Sequence, residues 1–133
     1  MKRLLLPIVA ALSLALAAIA GAHVFSAAPS LSIGKVPAGA TSPGARIIVF
    51  GKVHSGRTFC REDRVVRLFR VRPGADRLLA TDLTDREGEY SFQRRPGGDQ
   101  RVYTRVGSRM ETSYGHSHQC AADRSRNLFI NVS

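Results

Sequence analysis

The chain has 133 residues, with 20 Lys and Arg residues against 10 Asp and Glu residues, giving a formal net charge of +10 at pH 7. This length fits one domain, and the positive charge predicts attraction to anionic surfaces. No nucleic-acid-binding motif accompanies the charge, so we expect no nucleic-acid partner.

The first 22 residues are predicted to be a secretory signal peptide. Lys2 and Arg3 precede an apolar run from Leu4 to Ala20, and small-x-small cleavage sites lie at 18–20 and 20–22. An uncleaved membrane anchor is the alternative, because the run approaches the ~17–25 residues that span a bilayer. We expect cleavage, a secreted or cell-envelope (periplasmic) location, and no stable membrane span in the mature chain.

Residues 23–45 are rich in Ala, Ser, Gly and Pro and lack apolar periodicity, which predicts a flexible linker before a domain at 46–133. Without Lys2 and Arg3 the chain has 18 Lys and Arg residues, 16 of them Arg, against 10 acids, a net charge of about +8. Arginine binds phosphate and carboxylate bidentately. We therefore expect an anionic cell-envelope polymer, a glycan or another protein as partner. Because the arginines are spread along the domain, an ordinary solvated surface is the alternative.

The domain is predicted to be all-β, with short strands in an antiparallel sandwich or barrel. Apolar residues alternate with polar ones in short runs separated by Pro/Gly-rich turns, and no helical apolar stripe follows the signal peptide. Six runs carry the pattern, at about 46–53, 64–72, 78–83, 89–93, 101–107 and 126–132.

The two cysteines, Cys60 and Cys120, are predicted to form a disulfide. If the six strands run up and down, loops 54–63, 84–88 and 108–125 lie at one end of the sandwich and bring the two cysteines together. An extra strand within 109–114 would change this count. An exported location permits the bridge, which should stabilise the fold by roughly 4 kcal/mol. A reactive thiol pair or part of a metal site is the alternative.

The stretch 84–92 (TDREGEYSF) contains three acids, which would fit either a calcium-binding loop or a structural turn. An EF-hand-like loop fails, because Leu83 and Arg94 would occupy its first and last ligand positions. A structural turn uses every residue: Asp85 accepts backbone N–H groups, Gly88 takes a positive φ, and Tyr90 and Phe92 enter the core. The turn is the prediction.

Histidines are the candidate metal ligands. His116 and His118, two residues apart on an extended segment, project to one side, and His54 lies in a loop at the same predicted end. No G-x-S-x-G motif is present, and neither cysteine has a base partner. We therefore expect a non-catalytic binding or structural module without a cofactor. The alternative is a metal-dependent or hydrolase-like activity at the His54/His116/His118 end.

Several motifs resemble those of prealbumin-like β-sandwiches, which include carboxypeptidase regulatory-like and secreted transthyretin-like domains. They are V-x-G-K-V at 49–53, Val66-x-Leu68, and T-D-x-x-G-x-Y-x-F at 84–92, together with one cysteine after the first strand and one before the last. The resemblance implies an antiparallel Ig-like or prealbumin-like sandwich of six to seven strands, used for binding, spacing or support. The Tyr-Arg-Gly-Ser ending of the hydroxyisourate-hydrolysing branch is absent here, so that activity is not carried over.

Overall fold

A computed structural model describes residues 25–27 and 30–133; the predicted signal peptide (1–22) lies outside them. Within that range no helix has the length and apolar character needed to cross a bilayer. The described backbone forms twelve strands and one single-turn helix: β1 (Phe25–Ala27), β2 (Ser30–Leu31), β3 (Gly34–Val36), β4 (Ile47–His54), α1 (Thr58–Arg61), β5 (Val65–Arg70), β6 (Arg77–Leu83), β7 (Glu89–Arg94), β8 (Gln100–Val106), β9 (Arg109–Ser113), β10 (His116–Cys120), β11 (Asp123–Arg124) and β12 (Leu128–Ile130).

The strands form two main sheets with antiparallel pairing throughout. In sheet I, β4 pairs with β7 on one side and with β2 and β3 on the other. In sheet II the order is β6, β5, β8, with β11 and β12 both along the outer side of β8. A third, smaller sheet is the β9–β10 hairpin with β1 parallel to β10. This architecture agrees with the predicted all-β antiparallel class.

The core lies between sheets I and II. Alternation along β4 buries Ile47, Val49 and Val53 completely, whereas Phe50 between them is 43% exposed. Strands of sheet II bury a matching set, so the two sheets are the layers of a sandwich. Most of the buried apolar side chains form one cluster: Leu31, Ile33, Ile47, Val49, Val53, Val66, Leu68, Tyr90, Phe92, Val102, Val106, Leu128 and Ile130.

Residues 30–36, which the sequence placed in a flexible linker, belong to the fold and correct that part of the prediction. They form β2 and β3 along the free edge of β4, and Leu31 and Ile33 are buried in the core. Thr41 forms a parallel bridge with Val132. The segment lacks apolar periodicity because only two of its side chains face the core, while backbone pairing with β4 supplies the rest of its stabilisation.

The cysteines form the predicted disulfide, with a Cα–Cα distance of 5.4 Å between Cys60 and Cys120. The region predicted as a single loop, 108–125, contains the β9–β10 hairpin. Because β9 and β10 are two antiparallel strands, they leave the direction of the chain unchanged, and Cys120 still lies at the same end of the sandwich as Cys60. Arg109 also attaches the hairpin, since its Nη1 donates to the Glu62 carbonyl at 2.8 Å and its guanidinium lies 4.4 Å from the centre of the Phe59 ring.

A buried arginine stands beside the disulfide. Arg64 is 2% exposed, and its guanidinium donates to the carbonyl oxygens of Cys60, at 2.6 Å, and Gly107. Burial, followed by the neighbouring Arg109, lowers the pKa of Arg64. The two hydrogen bonds tie the loop after α1 to the end of β8.

The 84–92 stretch is a tight turn that leads into β7. Asp85 Oδ1 accepts the backbone N–H groups of Glu87 and Glu89, both at 2.9 Å. Gly88 has φ +86°, and its carbonyl accepts the N–H of Val53 at 2.9 Å. Since a side chain at Gly88 would meet the Val53 carbonyl, both the backbone conformation and the space require glycine. Tyr90 follows at once in the core.

The Tyr90 hydroxyl connects the two sheets. It donates to the Ser32 carbonyl beside sheet I and accepts from Thr104 Oγ1 of sheet II at 3.0 Å. Gly51 lies over the ring, and a Cβ at this position would overlap the Ser32 carbonyl and the Tyr90 hydroxyl. The glycine of the V-x-G-K-V motif therefore makes room for this hydrogen-bonded tyrosine.

Replacing Tyr90 with phenylalanine should change the pH dependence of stability. At pH 8 the variant should be less stable by about 1 kcal/mol, the usual net worth of a buried hydrogen bond. Burial raises the pKa of Tyr90 to about 12, against about 10 in the unfolded chain. The wild type therefore loses a stabilising contribution as the pH rises from 10 towards 12, which the variant cannot lose. Urea denaturation of both proteins at pH 8, 10 and 11 should show the difference vanish near pH 11. A constant difference would contradict a buried, neutral Tyr90.

Candidate functional site

Two turns carry arginines to the end of the sandwich opposite the disulfide. Arg70 ends β5 and Arg77 begins β6, and the two residues are directly paired across the strands. Arg94 ends β7 and Arg95 follows it. Arg46 directly precedes β4. We call these five residues the arginine end.

A cavity of 180 Å³ opens at the arginine end, between the two sheets. Arg70 and Arg94 are half-buried here, whereas Arg77 and Arg95 are exposed. Among the residues that the structure describes, no Asp or Glu lines it. Its wall consists of the margin of the core, one turn and a polar rim: Val49, Leu68, Leu79, Val102, Ile130, Pro96, Gly97, Gln100 and the four arginines Arg70, Arg77, Arg94 and Arg95.

The acids of the neighbouring turns are engaged elsewhere. Asp76 accepts the Tyr103 hydroxyl at 2.7 Å and the Arg72 N–H at 3.2 Å, and these two hydrogen bonds lower its pKa. Asp99 Oδ1 accepts the N–H of Val132 at 2.7 Å. The carboxylates nearest in sequence thus stabilise the turns and leave the cavity to the arginines.

A second, shallower concavity adjoins the first. It has a volume of 440 Å³ and is lined by Arg46, Gln93, Arg94 and Arg95, again without an acid. Arg95 Nη1 donates to the Gly44 carbonyl at 3.0 Å, which holds this side chain against the loop before β4. Arg94 and Arg95 therefore stand between the two concavities and contribute to both.

This arrangement is suited to holding oxyanions. Guanidinium groups form paired, charge-assisted hydrogen bonds with phosphate and carboxylate. Several cations of one sign lining a cleft also concentrate the positive potential there.

A larger concavity lies elsewhere, on the outer face of sheet I, and has a volume of 610 Å³. Lys52 shares it with Asp82, Asp85 and Glu89, so its charge is mixed. Two of those acids are structural: Asp82 accepts the N–H of Ser91 at 3.0 Å, and Asp85 organises the turn. We favour the 180 Å³ cavity as the functional site because its charged lining residues are all arginines.

The predicted histidines do not converge. His54 ends β4 and lines the outer groove of sheet I, whereas His116 and His118 lie on β10 of the hairpin. His118 Nδ1 is 2.9 Å from Arg57 Nη1. Across residues 25–27 and 30–133, no three His, Cys, Asp or Glu side chains form a group that could hold a metal ion.

The arginine end was missed by the sequence reasoning, which treated the arginines as dispersed. The sequence nevertheless contained a signal that could have grouped these arginines. The same counting that places the cysteine loops at one end places the turns 71–76 and 95–99 at the other, and arginines flank both turns.

Fold and site together define a disulfide-bridged β-sandwich domain with a basic cavity at one end. No family model and no curated protein matches the chain. Among solved structures, the sulfur carrier protein SoxY from Chlorobium limicola f thiosulfatophilum aligns over 77% of this chain and 80% of that chain, with 13% sequence identity and a TM-score of 0.39. A likeness at this level carries no functional argument, so function is argued below from this chain's own residues.

Proposed function

We propose that this protein is an exported, non-catalytic binding module whose arginine end holds the oxyanion groups of an acidic partner. The observation that carries the proposal is the cavity lined by Arg70, Arg77, Arg94 and Arg95 without any acid. An anionic cell-envelope polymer, an acidic glycan or an acidic protein would each supply the required groups.

Three further features support the proposal. The N-terminal sequence pattern indicates export, and the Cys60–Cys120 disulfide is compatible with an oxidising compartment. The net charge favours association with anionic surfaces. The prealbumin-like motifs imply a domain used for binding or support. The alternative, a metal-dependent or hydrolase-like activity of His54, His116 and His118, has no supporting ligand group within the described residues.

The proposal predicts where charge removal weakens binding. An Arg70→Gln/Arg94→Gln variant should bind inorganic phosphate at least tenfold more weakly than the wild type at low ionic strength, because two charge-assisted contacts are lost. The measurement is a calorimetric titration of the exported chain.

The matched control is Arg67→Gln/Arg105→Gln, which removes the same charge from two exposed arginines paired across β5 and β8. We expect less than a twofold change in this control, since exposed charges in salt are screened. Equal losses in both variants would mean that net charge alone, without a site, governs binding and would overturn the proposal.

A further inference from the structure

We infer that the arginine end is a two-subsite receptor for a chain of repeated phosphoryl groups, of the inorganic polyphosphate type, and not for a single anion. This inference rests on the proposed function and specifies its ligand. The inner subsite is the 180 Å³ cavity that contains Arg70 and Arg77, and the outer subsite is the 440 Å³ concavity that contains Arg46.

The first argument is the shared wall. Arg94 and Arg95 line both concavities, and neither concavity contains an acid. One anion in the inner subsite leaves Arg46 without a counter-charge, and one anion in the outer subsite leaves Arg70 and Arg77 without one. A ligand with linked anionic groups satisfies both subsites at once, and the second contact is then intramolecular and gains from the high effective concentration.

The second argument is position in the fold. Arg70 and Arg77 lie opposite each other on two strands of sheet II. Arg94 pairs with Ile47, the neighbour of Arg46, on two strands of sheet I. Because packed sheets lie about 10 Å apart, the arginine end extends across both layers, farther than one small anion reaches.

The third argument concerns the type of oxyanion. Four guanidinium groups and the amide of Gln100 surround the inner cavity. A guanidinium carries five N–H donors, so the cavity offers more donors than the two oxygens of a carboxylate can accept. A terminal phosphoryl group offers three oxygens, which favours phosphate over the carboxylates of an acidic glycan.

Three probes test the inference on the exported chain: inorganic phosphate, tripolyphosphate and trigalacturonate. Tripolyphosphate should bind at least about tenfold more tightly than phosphate, as expected when linked groups fill both subsites. Trigalacturonate should bind more weakly than tripolyphosphate.

Two single variants separate the subsites, with thermal unfolding as a check that each remains folded. Arg46→Gln should leave the affinity for phosphate within twofold of wild type. It should remove most of the additional affinity that tripolyphosphate has over phosphate. Arg77→Gln should weaken both ligands. Arg67→Gln, the charge-matched control, should change neither by more than twofold.

Each failure has a distinct meaning. Suppose that phosphate binds at the arginine end but tripolyphosphate binds no more tightly, or that its higher affinity persists in Arg46→Gln. The two-subsite inference is then overturned and the proposed function stands. If trigalacturonate binds more tightly than tripolyphosphate, the assignment to phosphoryl chains is wrong. If none of the three probes binds, both the inference and the proposed function fail.

Discussion

Removing the Cys60–Cys120 bridge should lower the free energy of unfolding by about 4 kcal/mol, the value expected when a loop of this length is released in the unfolded chain. The two cysteines are separated by 60 residues and both side chains are completely buried. A Cys60→Ala/Cys120→Ala variant and the reduced wild type should both show the loss in urea denaturation under identical conditions.

Amide hydrogen exchange should also change when the disulfide is removed. The bridge and Arg109 attach the β9–β10 hairpin to the sandwich, so amide hydrogen exchange in residues 109–120 should accelerate more than in β5 or β8. Wild-type stability in the double variant, or two free thiols in protein isolated under non-reducing conditions, would refute a structural disulfide.

Replacing Gly51 with alanine should destabilise the domain by about 3 kcal/mol, at the upper end of the usual cost of overpacking. The new methyl group would overlap the Ser32 carbonyl and the Tyr90 hydroxyl. Relief requires either moving the 30–36 edge away from β4 or breaking the hydrogen bonds of Tyr90. Thermal and urea unfolding measure the loss.

Gly56→Ala is the control for this substitution, because a Cβ at Gly56 meets no atom within 4 Å and the residue does not have a positive φ. Its stability should stay within about 0.5 kcal/mol of wild type, as for most surface changes. If Gly51→Ala lowers stability no more than Gly56→Ala does, Tyr90 does not pack tightly against Gly51.

The central strands of the sandwich could be predicted from sequence because the core forces their side chains to alternate. Runs at about 46–53 and 89–93 correspond to β4 (Ile47–His54) and β7 (Glu89–Arg94). Each strand has one face in the core and one in solvent, so apolar and polar residues alternate along its sequence.

The edge of sheet I and the hairpin could not be predicted in the same way. The 30–36 segment buries only Leu31 and Ile33, and it is held mainly by backbone bonds to β4. The hairpin shows no apolar alternation; Met110 and Tyr114 are 62% and 98% exposed. Strands that bury few apolar side chains and are held mainly by backbone pairing leave little pattern in the sequence.

The candidate site depends on which turns meet in space, and this is why composition did not reveal it. Arg70 and Arg94 are 24 positions apart in the chain, yet both end strands that terminate at the same end of the sandwich and line one cavity. Strand direction could have grouped them, whereas the convergence of the side chains and the removal of Asp76 and Asp99 from the cavity required the structure.

The most direct test of the proposed binding role is to locate bound phosphate on the purified protein by NMR. Backbone amide shifts should change on titration around Arg94, Gly97 and Gln100, and the changes should disappear in Arg70→Gln/Arg94→Gln. Shift changes confined to the opposite end, around His54 and His118, or spread evenly over the surface, would contradict an oxyanion site at the arginine end.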